Sequence, residues 1–211
     1  MVEFEHVLPR EIESRSFEII TQELGNHILN EEQEDVIKRV IHTSADFDYA
    51  DTLCFSETSI AQGLEALQNG ASIVTDTQMV KAGIHKKSLT KFGGQVYCFI
   101  GDEDVAIHAK EKKTTRSSAS MDKAVSLDED LIIAVGNAPT ALIRLYELIK
   151  EGVLTPKLVI GVPVGFVNVV WAKELIMTAG VPYIVAKGRK GGSNIAAAIC
   201  NALLYKLDKE R

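Results

Sequence analysis

The chain contains five short, almost continuously apolar runs separated by segments of helical pattern. They are Ser72–Thr75, Val96–Ile100, Leu131–Val135, Leu158–Ile160 and Tyr183–Ala186. Strands that are apolar at nearly every position are buried on both faces, as in a parallel sheet that helices cover from both sides. The pattern therefore predicts an α/β fold of three layers, with a parallel sheet of about five strands.

The first 70 residues have a different pattern, with helical periodicity and no predicted strand. We predict helices at about Arg10–Leu29, Glu31–Ser44 and Thr58–Gln68. No Pro/Gly/Ser-rich linker divides the 211 residues, so we expect one domain over residues 1–211. Within it, residues 1–70 form a helical lead-in that packs on the sheet.

Composition excludes several classes of protein. The formal net charge of −6 argues against nonspecific binding of nucleic acid by the whole surface. No apolar run reaches the roughly 18 residues of a membrane span, and Met1–Glu5 lacks the basic start of a signal peptide. Cys54, Cys98 and Cys200 are far apart and odd in number, which is typical of reduced thiols. We expect a cytoplasmic protein that binds neither membrane nor nucleic acid.

Glycine-containing turns follow the last three predicted strands. They are Gly136–Thr140, Gly161–Gly165 and Lys187–Ser193, and each leads into a predicted helix. In an open α/β sheet, ligands bind at this carboxyl edge, where helix N-termini favour anions. Any one such turn is also simply the commonest way to join a strand to a helix. Three in succession, the last with several cations, indicate a ligand that carries several anionic groups.

His42 lies in the last turn of the predicted helix Glu31–Ser44, with Arg39 on the same flank. Asn30 and Gln33 are typical of an N-cap and its N3 partner. A histidine in this position suits proton delivery near neutral pH. The alternative from spacing alone is a histidine that only caps the last carbonyls of the helix.

The common cofactor motifs are absent. No phosphate-binding loop or dinucleotide fingerprint is present, and no Gly-x-Ser-x-Gly nucleophile elbow occurs. His42 and Asp46 are four residues apart, but the predicted helix ends between them, so the spacing does not favour a metal site. We predict neither a cofactor nor a protein-bound metal.

Seven segments of the chain are informative when taken together. They are Arg15–Phe17, Arg39–Asp48, Thr75–Met79, Arg116–Ser117, Gly136–Thr140, Gly161–Asn168 and Lys187–Ser193. In this order and spacing they resemble one enzyme family, the precorrin-8X methylmutases, also called cobalt-precorrin-8 methylmutases, of cobalamin biosynthesis. The resemblance covers about residue 8 to the C-terminus.

The resemblance implies a flavodoxin-like fold, a homodimer and an isomerase without a dissociable cofactor. Such an enzyme moves a methyl group from ring carbon 11 to ring carbon 12 of a corrinoid tetrapyrrole, giving hydrogenobyrinate or cobyrinate. His42 matches the family's catalytic histidine, which donates a proton to a ring nitrogen and recovers it. We favour the cobalt-bearing substrate because of the general resemblance of the segment His42–Tyr49 to the family. The cobalt would then be part of the substrate and not of a protein metal site.

The resemblance and the loop chemistry together predict a set of substrate-binding residues. They are Ser16, Arg39, Thr75, Arg116, Asn137, Lys187, Arg189, Lys190 and Ser193. The polar segment Lys110–Ser120 is expected to be a solvated, mobile loop, and its match to a family segment that closes over the ligand implies that it orders on binding.

Two other functions remain open at this point. One is a non-catalytic tetrapyrrole carrier that uses the same pocket, since a single histidine is the only conspicuous catalytic candidate. The other is a methyltransferase with a sulfonium donor, which acts on the same class of substrate. Incubation with substrate and without any methyl donor separates the three functions.

Overall fold

A computed structural model describes residues 5–209, which form a six-stranded sheet between two layers of helices. Residues 1–4 and 210–211, the ends of the predicted domain, lie outside the described part of the chain. The strands are β1 (Leu53–Phe55), β2 (Ser72–Thr75), β3 (Val96–Tyr97), β4 (Leu131–Val135), β5 (Leu158–Gly161) and β6 (Tyr183–Ala186). All five predicted strands are present, although β3 ends at Tyr97 rather than at Ile100.

The strand order across the sheet is β1-β6-β5-β4-β2-β3. Strands β2 to β6 are parallel to one another. When these five parallel strands are renumbered 1 to 5 along the chain, their order across the sheet from β3 to β6 is 2-1-3-4-5. This is the flavodoxin-like arrangement. The predicted fold class is therefore confirmed.

The sixth strand corrects the prediction of a wholly helical lead-in. Strand β1 pairs antiparallel with β6, with Leu53 opposite Ala186 and Phe55 opposite Ile184. Three residues are too few to show a period of two, so this edge strand carries almost no signal of its own. It forms because β6 offers an open edge to pair with.

Helices fill the segments between the strands. They are α1 (Ile12–Leu24), α2 (Glu34–Ser44), α3 (Tyr49–Thr52), α4 (Ser59–Gln68), α5 (Gln78–Gly83), α6 (Lys86–Lys91), α7 (Glu103–Glu111), α8 (Arg116–Ala124), α9 (Pro139–Lys150), α10 (Val169–Met177) and α11 (Ser193–Leu207), with a 3-10 turn at Pro9–Glu11. No helix within residues 5–209 has the length and apolarity needed to cross a membrane.

The first two helices are shorter than predicted. Helix α1 ends at Leu24 because Gly25 adopts a positive φ of 56°, where glycine is favoured. Asn30 does not cap α2. Its side chain accepts from the N–H of Glu32 at 2.9 Å, inside a separate turn that precedes the helix. Gln33 occupies the N-cap position instead.

The prediction that Lys110–Ser120 is a loop is wrong. Helix α7 continues to Glu111, and α8 begins at Arg116. The hydroxyl of Thr115 caps α8 by accepting from the N–H of Ser118 at 3.1 Å. The polar composition hides a helix because small side chains such as Ser118 and Ser120 are buried against its neighbours.

Alternate residues of each strand belong to two separate cores. In β4, Ile132 and Ala134 face the core that α2, α4, α5, α6 and α11 cover, whereas Leu131 and Ile133 face the core under α8, α9 and α10. Within the lead-in, α4 packs on the sheet, α2 packs on α11, and α1 packs on α2. Helices α1 and α2 of the lead-in thus pack on other helices, whereas α4 packs directly on the sheet as predicted.

Candidate active site

The centre of the site is the point where the chain leaves β2 and β4 in opposite directions. Asp76 follows β2 directly, and its buried carboxylate accepts from the N–H groups of Gly136, Asn137 and Ala138 at 2.9, 2.8 and 2.8 Å. Burial raises the pKa of the Asp76 carboxyl, and the three N–H donors oppose that rise. Asp76 thereby fixes the loop after β4 at the switch point, where α/β folds bind ligands.

Thr75, which the sequence predicts to bind substrate, is fully buried. Its hydroxyl donates to the carbonyl oxygens of Tyr97 at 3.0 Å and Thr77 at 3.2 Å. Its position at the end of β2 is as predicted, but its side chain ties β2 to β3. Asp76 and Thr77 are not among the predicted binding residues, although they lie in the segment Thr75–Met79 that carries part of the resemblance. The signal for Asp76 is an acidic residue directly after a buried strand.

The three glycine-containing loops contact one another. The hydroxyl oxygens of Thr77 and Ser193 are 2.9 Å apart, which joins the loop after β2 to the start of α11. A Cβ on Gly136 would lie 2.7 Å from the Cα of Ser193. A Cβ on Gly191 would lie 2.1 Å from the carbonyl oxygen of Val162. These glycines are therefore needed for close approach, and the three loops lie together at the carboxyl edge of the sheet.

We call residues 187–192 the basic loop. Lys187 and Arg189 are exposed on it, and the guanidinium of Arg189 lies 5.6 Å from the centre of the Phe166 ring. Lys190 instead pairs with Asp46 at 2.7 Å and Asp48 at 2.6 Å. These two carboxylates raise the pKa of Lys190, and Lys190 lowers the pKa of Asp46.

This pairing brings the sheet edge next to the segment that follows α2. His42 lies in the last turn of α2, as predicted, and is exposed. Its ring stacks on Phe17 of α1, with 5.6 Å between ring centres and 10° between planes. Ala45 ends the helix with a positive φ of 54°. His42 is thus exposed with one face against Phe17, four residues before the Asp46 that pairs with the basic loop.

Arg39 is directed away from the basic loop, toward α1 and α11. Its guanidinium forms an ion pair with Glu13 and lies 4.7 Å from the Phe17 ring centre and 5.1 Å from that of Tyr205. These side chains line a groove of about 620 Å³. Ser16, on α1, donates its hydroxyl hydrogen to the carbonyl of Ile12. Arg39 and Ser16 therefore lie in the helix layer, on α2 and α1, and Arg39 lines the groove there.

Arg116 and Asn137 are brought toward the same edge by a contact between helix starts. The hydroxyl oxygens of Thr115 and Thr140, which lie just before α8 and in the first turn of α9, are 2.8 Å apart. Arg116 and Asn137 are both exposed. Within residues 5–209, no three His, Cys, Asp or Glu side chains are grouped as metal ligands would be.

Known proteins that are similar to this chain identify its family. A family model described as precorrin-8X methylmutase matches residues 11–206. The chain belongs to the precorrin-8X methylmutase family. The predicted family and the predicted enzyme class, an isomerase of the methylmutase type, are confirmed.

Relatives match over nearly the whole chain. A protein of Priestia megaterium named cobalt-precorrin-8 methylmutase is 46% identical, over 96% of this chain and 90% of its own length. One of the same name from Leptospira interrogans is 44% identical, over 96% of both chains. The crystal structure of precorrin-8x methyl mutase from Thermus thermophilus superposes with a TM-score of 0.84 at 40% identity, over 92% of this chain and 96% of that one.

The role of Asp76 leads to a stability prediction. Asp76→Asn should lower the free energy of unfolding by about 2–4 kcal/mol, because one amide oxygen cannot replace two carboxylate oxygens that accept three buried N–H groups. Urea unfolding measures this change. Asp128→Asn, at an exposed turn, is the control and should leave stability nearly unchanged. Equal stability of the two variants would contradict the role of Asp76 in holding the loop that follows β4.

Proposed function

We propose that this protein moves the methyl group on ring carbon 11 of cobalt-precorrin-8 to ring carbon 12, giving cobyrinate. The observation that carries the proposal is an exposed, ring-stacked His42 at the end of a helix whose following segment pairs with the basic loop, in a chain of methylmutase sequence. The relatives from Priestia megaterium and Leptospira interrogans carry the cobalt form in their names, which supports the cobalt-bearing substrate. The three unpaired cysteines fit a cytoplasmic location.

The surface beside the basic loop suits a flat macrocycle with acidic arms. Phe166 and Val167 follow β5 and are 82% and 78% exposed. Lys187 and Arg189 are exposed next to them. A conjugated ring presents an apolar face to the first pair, and its acetate and propionate groups meet the second pair through charge-assisted hydrogen bonds.

Only one proton needs to move during the reaction. In the proposed mechanism, His42 donates a proton to the ring nitrogen beside the migrating methyl group, which redistributes electron density through the conjugated ring and makes carbon 12 a better acceptor of the methyl group with its bonding electron pair. The methyl group then forms a bond to carbon 12 as its bond to carbon 11 breaks, and the proton returns to His42. Substrate and product are isomers, so no methyl donor, oxidant or reductant is consumed.

The sharpest test replaces His42 with a residue of similar size that cannot donate this proton. His42→Asn should lower kcat by about 10²–10⁴-fold and change KM little, because the proton matters in the transition state more than in the ground state. Steady-state turnover of cobalt-precorrin-8 is followed by absorbance. His27→Asn, which changes an exposed histidine paired with Asp51, is the control and should keep full activity.

Three outcomes would contradict the proposal, the first for the role of His42 and the other two for the reaction. Near-normal turnover by His42→Asn would assign the proton to another group and leave His42 with the helix-capping role. A stoichiometric change of the absorbance spectrum without turnover by the unaltered protein would indicate the carrier function instead. Activity that appears only when a sulfonium methyl donor is added would indicate a methyltransferase.

Substrate binding should depend on the exposed cations of the basic loop. Lys187→Ala with Arg189→Ala should weaken binding of cobalt-precorrin-8 more at low salt than at high salt, because salt screens exposed charges. Lys190→Ala should have a smaller effect, since Asp46 and Asp48 already pair with Lys190. Lys157→Ala, just before β5 at the opposite edge of the sheet, is the control. Titration followed by absorbance or fluorescence measures each affinity. Equal affinities of the double variant and the unaltered protein would contradict direct contact of Lys187 and Arg189 with the substrate.

A homodimer is the proposed assembly. His42 is exposed, and Trp171 on α10 is 54% exposed near the apolar residues that follow β5. A macrocycle that binds at so open an edge needs a further wall, and a second copy related by a two-fold axis supplies one. Sedimentation should show a dimer at micromolar concentration. A fully active monomer over that range would contradict this assembly.

A further inference from the structure

Lys173 is a buried lysine of α10 whose ammonium group contacts backbone oxygens. Its side chain is 1% exposed. Nζ donates to the carbonyl oxygen of Gly188 at 2.9 Å and to that of Lys190 at 2.7 Å. No acidic side chain of residues 5–209 pairs with this ammonium. Its charge is therefore balanced by the carbonyl dipoles of the basic loop.

The loop is also held from a second direction. The carbonyl oxygen of Arg189 accepts from the N–H of Gly165 at 3.2 Å. Three successive carbonyl groups, from residues 188 to 190, thus bind donors of α10 and of the loop before it. The side chains of Lys187 and Arg189 remain exposed. The arrangement fixes the backbone of the loop and leaves these two cations at the surface.

Keeping a charge in this position is unfavourable in itself. Burial lowers the pKa of Lys173 to about 8. A methionine would fill nearly the same volume without that desolvation, but it would leave two inward carbonyl groups without their donor. The particular contribution of the lysine is therefore its pair of hydrogen bonds to the loop.

We propose that Lys173 is a positioning residue, which holds the basic loop in the conformation that presents Lys187 and Arg189 to the anionic ligand. Lys173 itself does not contact the ligand, because it lies beneath the loop. That the ligand is the methylmutase substrate rests on the proposed function above, whereas the effect of Lys173 on the loop does not.

The test compares Lys173→Met with Lys150→Met. Lys150 also donates to a backbone carbonyl, that of Thr178 at 3.0 Å, at the far end of α10 from the loop. Both variants lose a lysine-to-carbonyl bond, but only Lys173→Met affects the basic loop. Should Lys173→Met fail to fold, Lys173→Gln keeps a shorter neutral donor and tests the same role with a smaller expected effect.

Trypsin gives a measure of loop conformation that does not depend on activity, since it cleaves after Lys187, Arg189 and Lys190. Cleavage there, relative to cleavage in the exposed turn at Lys112 and Lys113, should be at least about tenfold faster in Lys173→Met, which is the factor expected for one charge-assisted hydrogen bond. Lys150→Met should match the unaltered protein. An equal increase of the cleavage rate in the basic loop and at Lys112 and Lys113, or no increase in the basic loop, would overturn the positioning role of Lys173.

Kinetics give the second measure. Lys173→Met should raise KM for cobalt-precorrin-8 by about tenfold and leave kcat within about threefold, because the loop binds the acidic arms and His42 is unchanged. A loss confined to kcat would contradict the positioning role. If the unaltered protein shows no turnover, the proposed function fails, and the trypsin comparison still decides the role of Lys173.

Discussion

The site depends on one buried carboxylate at the carboxyl edge of the sheet. Asp76 follows β2 and accepts three N–H groups from the loop that follows β4. A carboxylate without these donors would be costly to bury, and the loop without the carboxylate would leave three N–H groups unpaired. Each partner makes the other stable. The contact holds the start of α9 in place, and through Gly136 it holds the start of α11 as well.

The sheet could be predicted from the sequence because each parallel strand is apolar on both faces. Leu131–Val135 is apolar throughout, and it lies at the centre of the sheet with all five residues buried. Strand β1 escaped prediction because pairing with β6, rather than its own pattern, makes Leu53–Phe55 a strand. Helix α8 was not predicted because its buried positions include serines, and a serine-rich segment has the composition of a loop. Local sequence pattern thus fails to predict an element when contacts with distant segments of the chain determine its structure.

The site shows the same division between local pattern and distant partners. His42 could be placed in the last turn of its helix because apolar periodicity fixes α2. The pairing of Lys190 with Asp46 and the stacking of Arg39 on Tyr205 join residues more than 140 positions apart. Nothing near either residue in the sequence indicates its partner. The sequence therefore predicts which residues carry charge, but not which charges are already paired.

Those pairings decide how the proposed substrate would meet the site. The sheet edge is rigid, since buried hydrogen bonds of Asp76 and Lys173 hold its loops. The link from this edge to the segment after α2 is an exposed ion pair, which contributes little in water. An acidic arm of the macrocycle can therefore replace Asp46 on Lys190 at small cost. Such an exchange would release Asp46 and the segment that follows α2, while α2 itself, which carries His42, stays packed through its buried residues.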